Sequence, residues 1–167
     1  MPVNLSSKDL QLEDFRQKIS NLIDKYEISP QSLELEITEN TLMENPEALE
    51  SDLNALRKMG LTLAIDDFGS GFSSLNYLKR LPVDVLKIDR MFIRDIDRDE
   101  NDKAIVSGVV ALAKSMGLST VAEGVETEEQ YHLLQQLGCD TCQGYYFGKP
   151  VSAADFESAF LRPVFDA

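Results

Sequence analysis

The chain has 167 residues, 43% of them hydrophobic, and its 16 basic and 29 acidic side chains leave a net charge of -13. That length suits one domain with a sizeable core, and the acidic balance excludes a duplex-coating nucleic-acid binder, which needs clustered Lys and Arg. A mean hydropathy of -0.20, with no apolar run near the ~18 residues of a membrane span, predicts no membrane contact by this domain, and Met1-Pro2-Val3 reads as no signal peptide.

In chain order, Val3 and Asn4 begin the pattern. A stripe at Leu12, Phe15, Ile19, Leu22, Ile23 and Tyr26 has helical spacing, and a strand over 33–38 follows. Asn45-Pro46 starts a helix with the apolar face Leu49, Leu53 and Leu56; Gly60 ends it before a strand over 61–65. Residues 83–88 read as another short strand. Ile105, Val106, Val109, Leu112 and Met116 mark a helix stopped by Gly117, with a strand over 119–122 behind it. Thr127-Glu128-Glu129-Gln130 has the capping-box pattern, so a helix runs from there to Gly138, before a strand over 141–147. Ser152 opens a last helix carrying Phe156 and Phe160.

The segments ALRKMGLTLAIDD, ALAKSMGLSTVAE and LLQQLGCDTCQG repeat one grammar of helix, glycine, strand and polar residues. Strands separated by single helices pair in parallel through right-handed crossovers. With no linker or low-complexity tract, the chain reads as one α/β domain of about six mainly parallel strands. Cys139 and Cys142, the only cysteines, are spaced C-x-x-C. One pair cannot complete a structural zinc site without a second pair or a histidine cluster. A redox dithiol is disfavoured because Cys142 falls in a predicted strand, not at a helix N-terminus; two reduced thiols are expected. His132, the only histidine, neighbours Leu133, Leu134 and Leu137 and reads as a solvent-facing helix residue. Histidine-based mechanisms lose their support.

What closes each strand carries the chemistry. Val3 leads to Asn4, Thr38 to Glu39, Ile65 to Asp66 and Asp67, Leu86 to Lys87 and Asp89, Ala122 to Glu123 and Glu126, and Cys142 to Gln143. In parallel α/β architectures the C-terminal strand ends converge on one face, where active sites lie. One such residue alone would be a helix cap or a solvated edge; the full set on one rim is a site. Its oxygen donors suit Mg²⁺ or Mn²⁺. Adjacent Asp66 and Asp67 at the end of an apolar run resist desolvation unless a cation sits between them, and a two-metal site there suits phosphodiester cleavage. The turn with Gly69 and Gly71 permits sharp backbone bends, but no Gly-Lys-Ser/Thr follows it, so it is not a P-loop. A doubly wound, receiver-like domain with an Mg²⁺-binding acidic cluster is the competing fold; it would not need Glu39, Glu123 and Gln143 on separate strands.

VNLS, LELEITE, IDDFGSGFSSLNYLKRLPVDVLKID, VAEGVET and QGYYFGKP occur in that order over most of the chain. Together they resemble the EAL domain, the bacterial cyclic-di-GMP phosphodiesterase. The resemblance implies a TIM-barrel-like fold, incomplete here, and opening of cyclic di-GMP to linear pGpG with two metal ions. By motif, Asn4, Glu39 and Asp66 would bind the first ion. Asp66 and Asp67 would bind the second, with Glu123 as a direct or water-mediated ligand and a candidate base. Lys87 would hold the attacking water, Glu126 would anchor the loop over 68–75, and Gln143 would line the site. That loop reads Gly-Ser-Gly-Phe, where the family usually has Gly-Thr-Gly-Tyr. The name-giving Glu-x-Leu-x-Arg motif is missing, because Glu47-Ala48-Leu49 is followed by Ser51 and lies in an amphipathic helix. The expectation is a single partial domain over 1–167, N-terminally truncated and catalytically impaired as it stands. The alternative is a non-catalytic module that binds cyclic di-GMP or a protein partner. Open sheet edges imply a homodimer or higher assembly, with 90–103 as a further contact, in the cytoplasm, alone or within a larger membrane-anchored signalling protein.

Overall fold

The computed structural model describes the chain apart from residues 11, 13, 45, 70–77 and 162–167 and the side chains of residues 43, 44, 46–48 and 161. Among the described residues, six strands form one sheet in sequence order: β1 Pro2–Leu5, β2 Glu34–Thr38, β3 Thr62–Phe68, β4 Val85–Ile88, β5 Ser119–Glu123 and β6 Thr141–Gln143. Every neighbouring pair is parallel. An order without reversal is that of a singly wound barrel wall, whereas a doubly wound sheet reverses at a switch point. The receiver-like alternative is therefore set aside. The fold is an open, TIM-barrel-like α/β sheet.

Period-two alternation sorts each strand between two faces. Leu35, Ile37, Leu63, Ile65, Leu86, Ile88 and Ala122 are buried and join the apolar cluster shared with the helices. The intervening Glu36, Ala64, Asp66, Lys87 and Glu123 take the opposite face. Helices Phe15–Tyr26, Pro46–Lys58, Glu100–Met116 and Glu128–Leu137 cover the apolar side, contributing Phe15, Ile23, Leu53, Leu56, Val106, Val110 and Leu134. Asp99 caps the third of these through Asn101 N–H at 2.7 Å, and Thr127 with Gln130 forms the predicted capping box of the fourth.

At the N-terminal strand ends, Asp84 accepts from Leu63 N–H at 3.1 Å and pairs with Arg57 at 2.8 Å. Asp140 accepts from both the N–H and the hydroxyl of Thr120 at 2.8 Å. These carboxylates tie neighbouring strands together on the face that barrels use for stability.

Several expected boundaries move. β3 continues through Asp66 and Asp67 to Phe68, β4 begins only at Val85, and β6 stops at Gln143. The last is cut short because residues 144–147 turn back, with Tyr146 N–H donating to Val125 O at 3.0 Å. Leu12, Leu22 and Tyr26 of the first stripe are exposed, as are Ile105, Phe156 and Phe160. The predicted helix start at Asn45 lies outside the described residues. No described helix is long and apolar enough to cross a membrane.

Candidate functional site

Lys87 stands at the centre of the polar face, buried to 4% exposure. Its Nζ lies 2.5 Å from Glu36 Oε1, 2.7 Å from Glu123 Oε1 and 3.1 Å from Asp66 Oδ1. Strand register produces this convergence. Thr38 pairs with Asp66, Lys87 with Val121, and Glu123 with Gln143, so β2 to β6 lift their polar side chains onto one surface. Burial by itself would lower the lysine pKa; hydrogen bonds to Glu123, Glu36 and Asp66 override it and hold the ammonium well above its ordinary value. Lys87 is a fixed cation.

Asp66 and Asp67 are neighbours on a strand, where side chains ordinarily point to opposite faces. A β-bulge changes that. Ile65 pairs with Leu86 and Phe68 with Ile88, so three steps along β3 answer two along β4. Asp67 takes up the extra residue in a left-handed conformation, φ 54°, which costs a non-glycine residue ~1 kcal/mol. The result is one anionic pocket: carboxylate oxygens of Asp66, Asp67 and Glu123 lie within 4.8 Å of one another. Burial, then repulsion from Asp66, raises the Asp67 pKa. Burial likewise raises that of Glu123, against the pull of Lys87. With Glu36, four carboxylates face one ammonium. An all-oxygen donor set of this kind fits a hard divalent cation.

The other expected residues have separate places. Asn4 pairs in register with Glu36 on the edge strand. Glu39, expected to bind the first metal, is buried, and its Oε2 accepts from Gly69 N–H at the start of the next loop at 2.9 Å. Among the described residues its Oε1 has no hydrogen-bond partner. Glu126, expected to anchor that loop, is exposed, and its N–H donates to Gln130. Gly69 adopts φ 96° and lies against the Phe92 ring; Gly71 and the rest of 70–75 lie outside the described residues. Glu36 was not anticipated, because it sits two residues inside β2 and not at the strand end. Its signal was the alternation in LELEIT, where Leu35 and Ile37 go to the core and Glu36 to the polar face.

Beside the carboxylates opens a cleft of about 580 Å³, in the size range of small-molecule sites. Arg90, Met91 and Arg94 form one wall, Glu123, Gly124 and Glu126 the other, with Gln143, Gly144 and Tyr145 between. Cys139 and Cys142 are not among the residues that line this cleft. Both are free, and burial, then the Cys139 sulfur, pushes the Cys142 thiol up to about 11. His132 faces solvent on its helix and contacts Glu128 and Gln135.

Comparison with known proteins places this geometry among relatives. The EAL domain model matches residues 1–150. The bifunctional diguanylate cyclase/cyclic di-GMP phosphodiesterase MucR of Pseudomonas aeruginosa is 45% identical over 151 residues, which is 90% of this chain and 22% of MucR. The cyclic di-GMP phosphodiesterase NbdA of the same organism is 41% identical over 166 residues, 99% of this chain and 21% of NbdA. The chain thus spans about a fifth of the length of these curated relatives. Among solved structures, the MucR phosphodiesterase in complex with c-di-GMP superposes with a TM-score of 0.89 at 44% identity, covering 93% of this chain and 63% of that one. Klebsiella pneumoniae BlrP1 with manganese and cy-diGMP gives 0.83 at 35% identity, over 89% of this chain and 38% of that one.

Proposed function

The chain belongs to the EAL domain family, and we propose that its carboxylate cluster and adjoining cleft hydrolyse cyclic di-GMP to linear pGpG. The observation that carries this reading is the buried Lys87 contacting Glu36, Asp66 and Glu123 beside Asp67. Glu36, Asp66, Asp67 and Glu123, with Asn4 beside them, are the proposed holders of Mg²⁺ or Mn²⁺, and Glu39 holds the Gly69 turn. Metal bound there supplies Lewis acidity toward the phosphodiester oxygens and acidifies a water.

The chain's own residues divide the remaining work. Lys87 keeps its proton and so acts as a donor that orients the attacking water. Glu123, its pKa raised by burial, accepts the proton that water loses as the new O–P bond forms; the bond to the ribose oxygen breaks, and that oxygen takes up a proton from solvent. Arg90 and Arg94 bring positive charge to the cleft for phosphate. Gln143 lines it. The sequence holds no Glu-x-Leu-x-Arg segment at a strand end, so one carboxylate and one guanidinium of the family pattern have no counterpart in these 167 residues. Turnover by these residues alone is accordingly slow. The nucleotide substrate and two free thiols fit a cytoplasmic location.

Thermal unfolding with Mn²⁺ or Mg²⁺ tests the centre without depending on turnover. The ion raises the melting temperature by mass action, and Asp66→Asn removes most of that gain. An equal response in parent and variant refutes the assignment. Lys87→Ala and Glu123→Ala abolish whatever pGpG formation the parent shows.

A further inference from the structure

We propose that Gln130 is a positioning residue that fastens the two walls of the cleft to each other and thereby sets its affinity for ligand; the ligand part rests on the cyclic-di-GMP reading above. Gln130 is buried to 5% exposure on helix Glu128–Leu137, outside the carboxylate cluster. Its Oε1 accepts from Thr127 N–H at 3.1 Å, which is all that a capping box requires. The same oxygen also accepts from Glu126 N–H at 2.7 Å. Its Nε2 donates to Arg94 O at 3.0 Å, a residue 36 positions earlier in the chain. One amide therefore holds the loop that follows Glu123 and carries Glu126 and, with its other end, the segment carrying Arg90 and Arg94.

A glutamate at this position would cap the helix equally well. Only the NH₂ group reaches across to Arg94, and that group is what the cap leaves unexplained. The walls already approach closely, since a Cβ on Gly124 would come within 2.6 Å of Arg90 Cβ. Arg94 lies one helical turn further on, its N–H donating to Arg90 O at 3.0 Å. Phe92, Ile93 and Ile96 root this segment in the core; contact at Arg90 and the tether at Arg94 then fix the side it turns toward the cleft. A buried amide with all three bonds made gives little slack, because each bond lost leaves a desolvated polar group.

Two variants of the full chain separate this role from capping. Gln130→Glu keeps the cap and both accepted hydrogen bonds but sets an acceptor against the Arg94 carbonyl. Gln130→Met removes all three bonds at similar volume. Hydrogen exchange over 90–95 and 124–127 is compared with the equilibrium affinity for cyclic di-GMP in Ca²⁺. Gln130→Glu is expected to speed exchange over 90–95, leave 124–127 at the parent rate, and weaken binding by about five-fold, the loss of roughly one hydrogen bond. Gln130→Met speeds both segments and weakens binding at least as much. Parent-like exchange over 90–95 in Gln130→Glu, or parent-like affinity in both variants, overturns the proposal. If the parent itself binds no cyclic di-GMP, the functional reading fails and exchange over 90–95 alone decides the tether.

Discussion

Lys87 and Asp140 show how a single side chain acquires its role from the strand beside it. Lys87 is buried with three carboxylate partners, and removing one member of such a group leaves uncompensated buried charge, typically a cost of about 3–5 kcal/mol. Asp140 works at the opposite end of the sheet. Hydrogen bonds from the Thr120 side chain, then its backbone, hold the Asp140 carboxyl below the ordinary value of 3.8. A depressed carboxylate pKa adds stability that is complete above the ordinary value and is lost as pH falls through the folded value. Asp140→Ala should therefore unfold more easily at pH 7 by about 1 kcal/mol, and the gap should narrow as pH drops below 3.8. Urea unfolding across pH checks this; a gap that stays constant to low pH removes the carboxylate from the account.

Among the elements, two irregular ones build the site. The bulge in β3 brings Asp67 onto the face of Asp66, which a regular strand cannot do. The turns after β5 and β6 cross so closely that Val125 N–H donates to Gln143 O and Tyr146 N–H to Val125 O, both at 3.0 Å. Gly144 makes the crossing available, since a Cβ there would lie 2.1 Å from Val125 O. Backbone cannot yield to such a contact as a flexible side chain would. Gly144→Ala is expected to lower the melting temperature by several degrees, as a loss of about 2–3 kcal/mol would, and to open Val125 and Tyr146 to hydrogen exchange. Unchanged exchange at both amides counts against the crossing as the source of rigidity.

For the whole molecule, the open sheet is the governing fact. β1 and β6 are its terminal strands, and most of their residues are exposed. Exposed apolar side chains lie toward both ends of the chain, Val3, Leu12, Leu22 and Tyr26 toward one, Tyr145, Phe147 and Phe156 toward the other. Unpaired strand edges and apolar patches favour association. Light scattering of the 167-residue chain should show a mass that rises with concentration toward a dimer or larger assembly. A monomer mass at every concentration, with no binding of an apolar dye, defeats the expectation.

The sequence by itself determined the strand–helix alternation, the capping box at Thr127 and Gln130, and the acids and lysine at the strand ends, because period, caps and composition are local properties. It also carried the family, through motifs in a fixed order. Tertiary structure alone decided the rest. That Glu36 contacts Lys87 follows from the pairing of β2 with β3 and of β3 with β4, and a register is invisible in any strand read singly. The reach of Gln130 to Arg94 spans 36 residues, and the joint use of Asp66 and Asp67 depends on a bulge defined against β4. Each is a relation between segments distant in the chain, so only their packing could fix it.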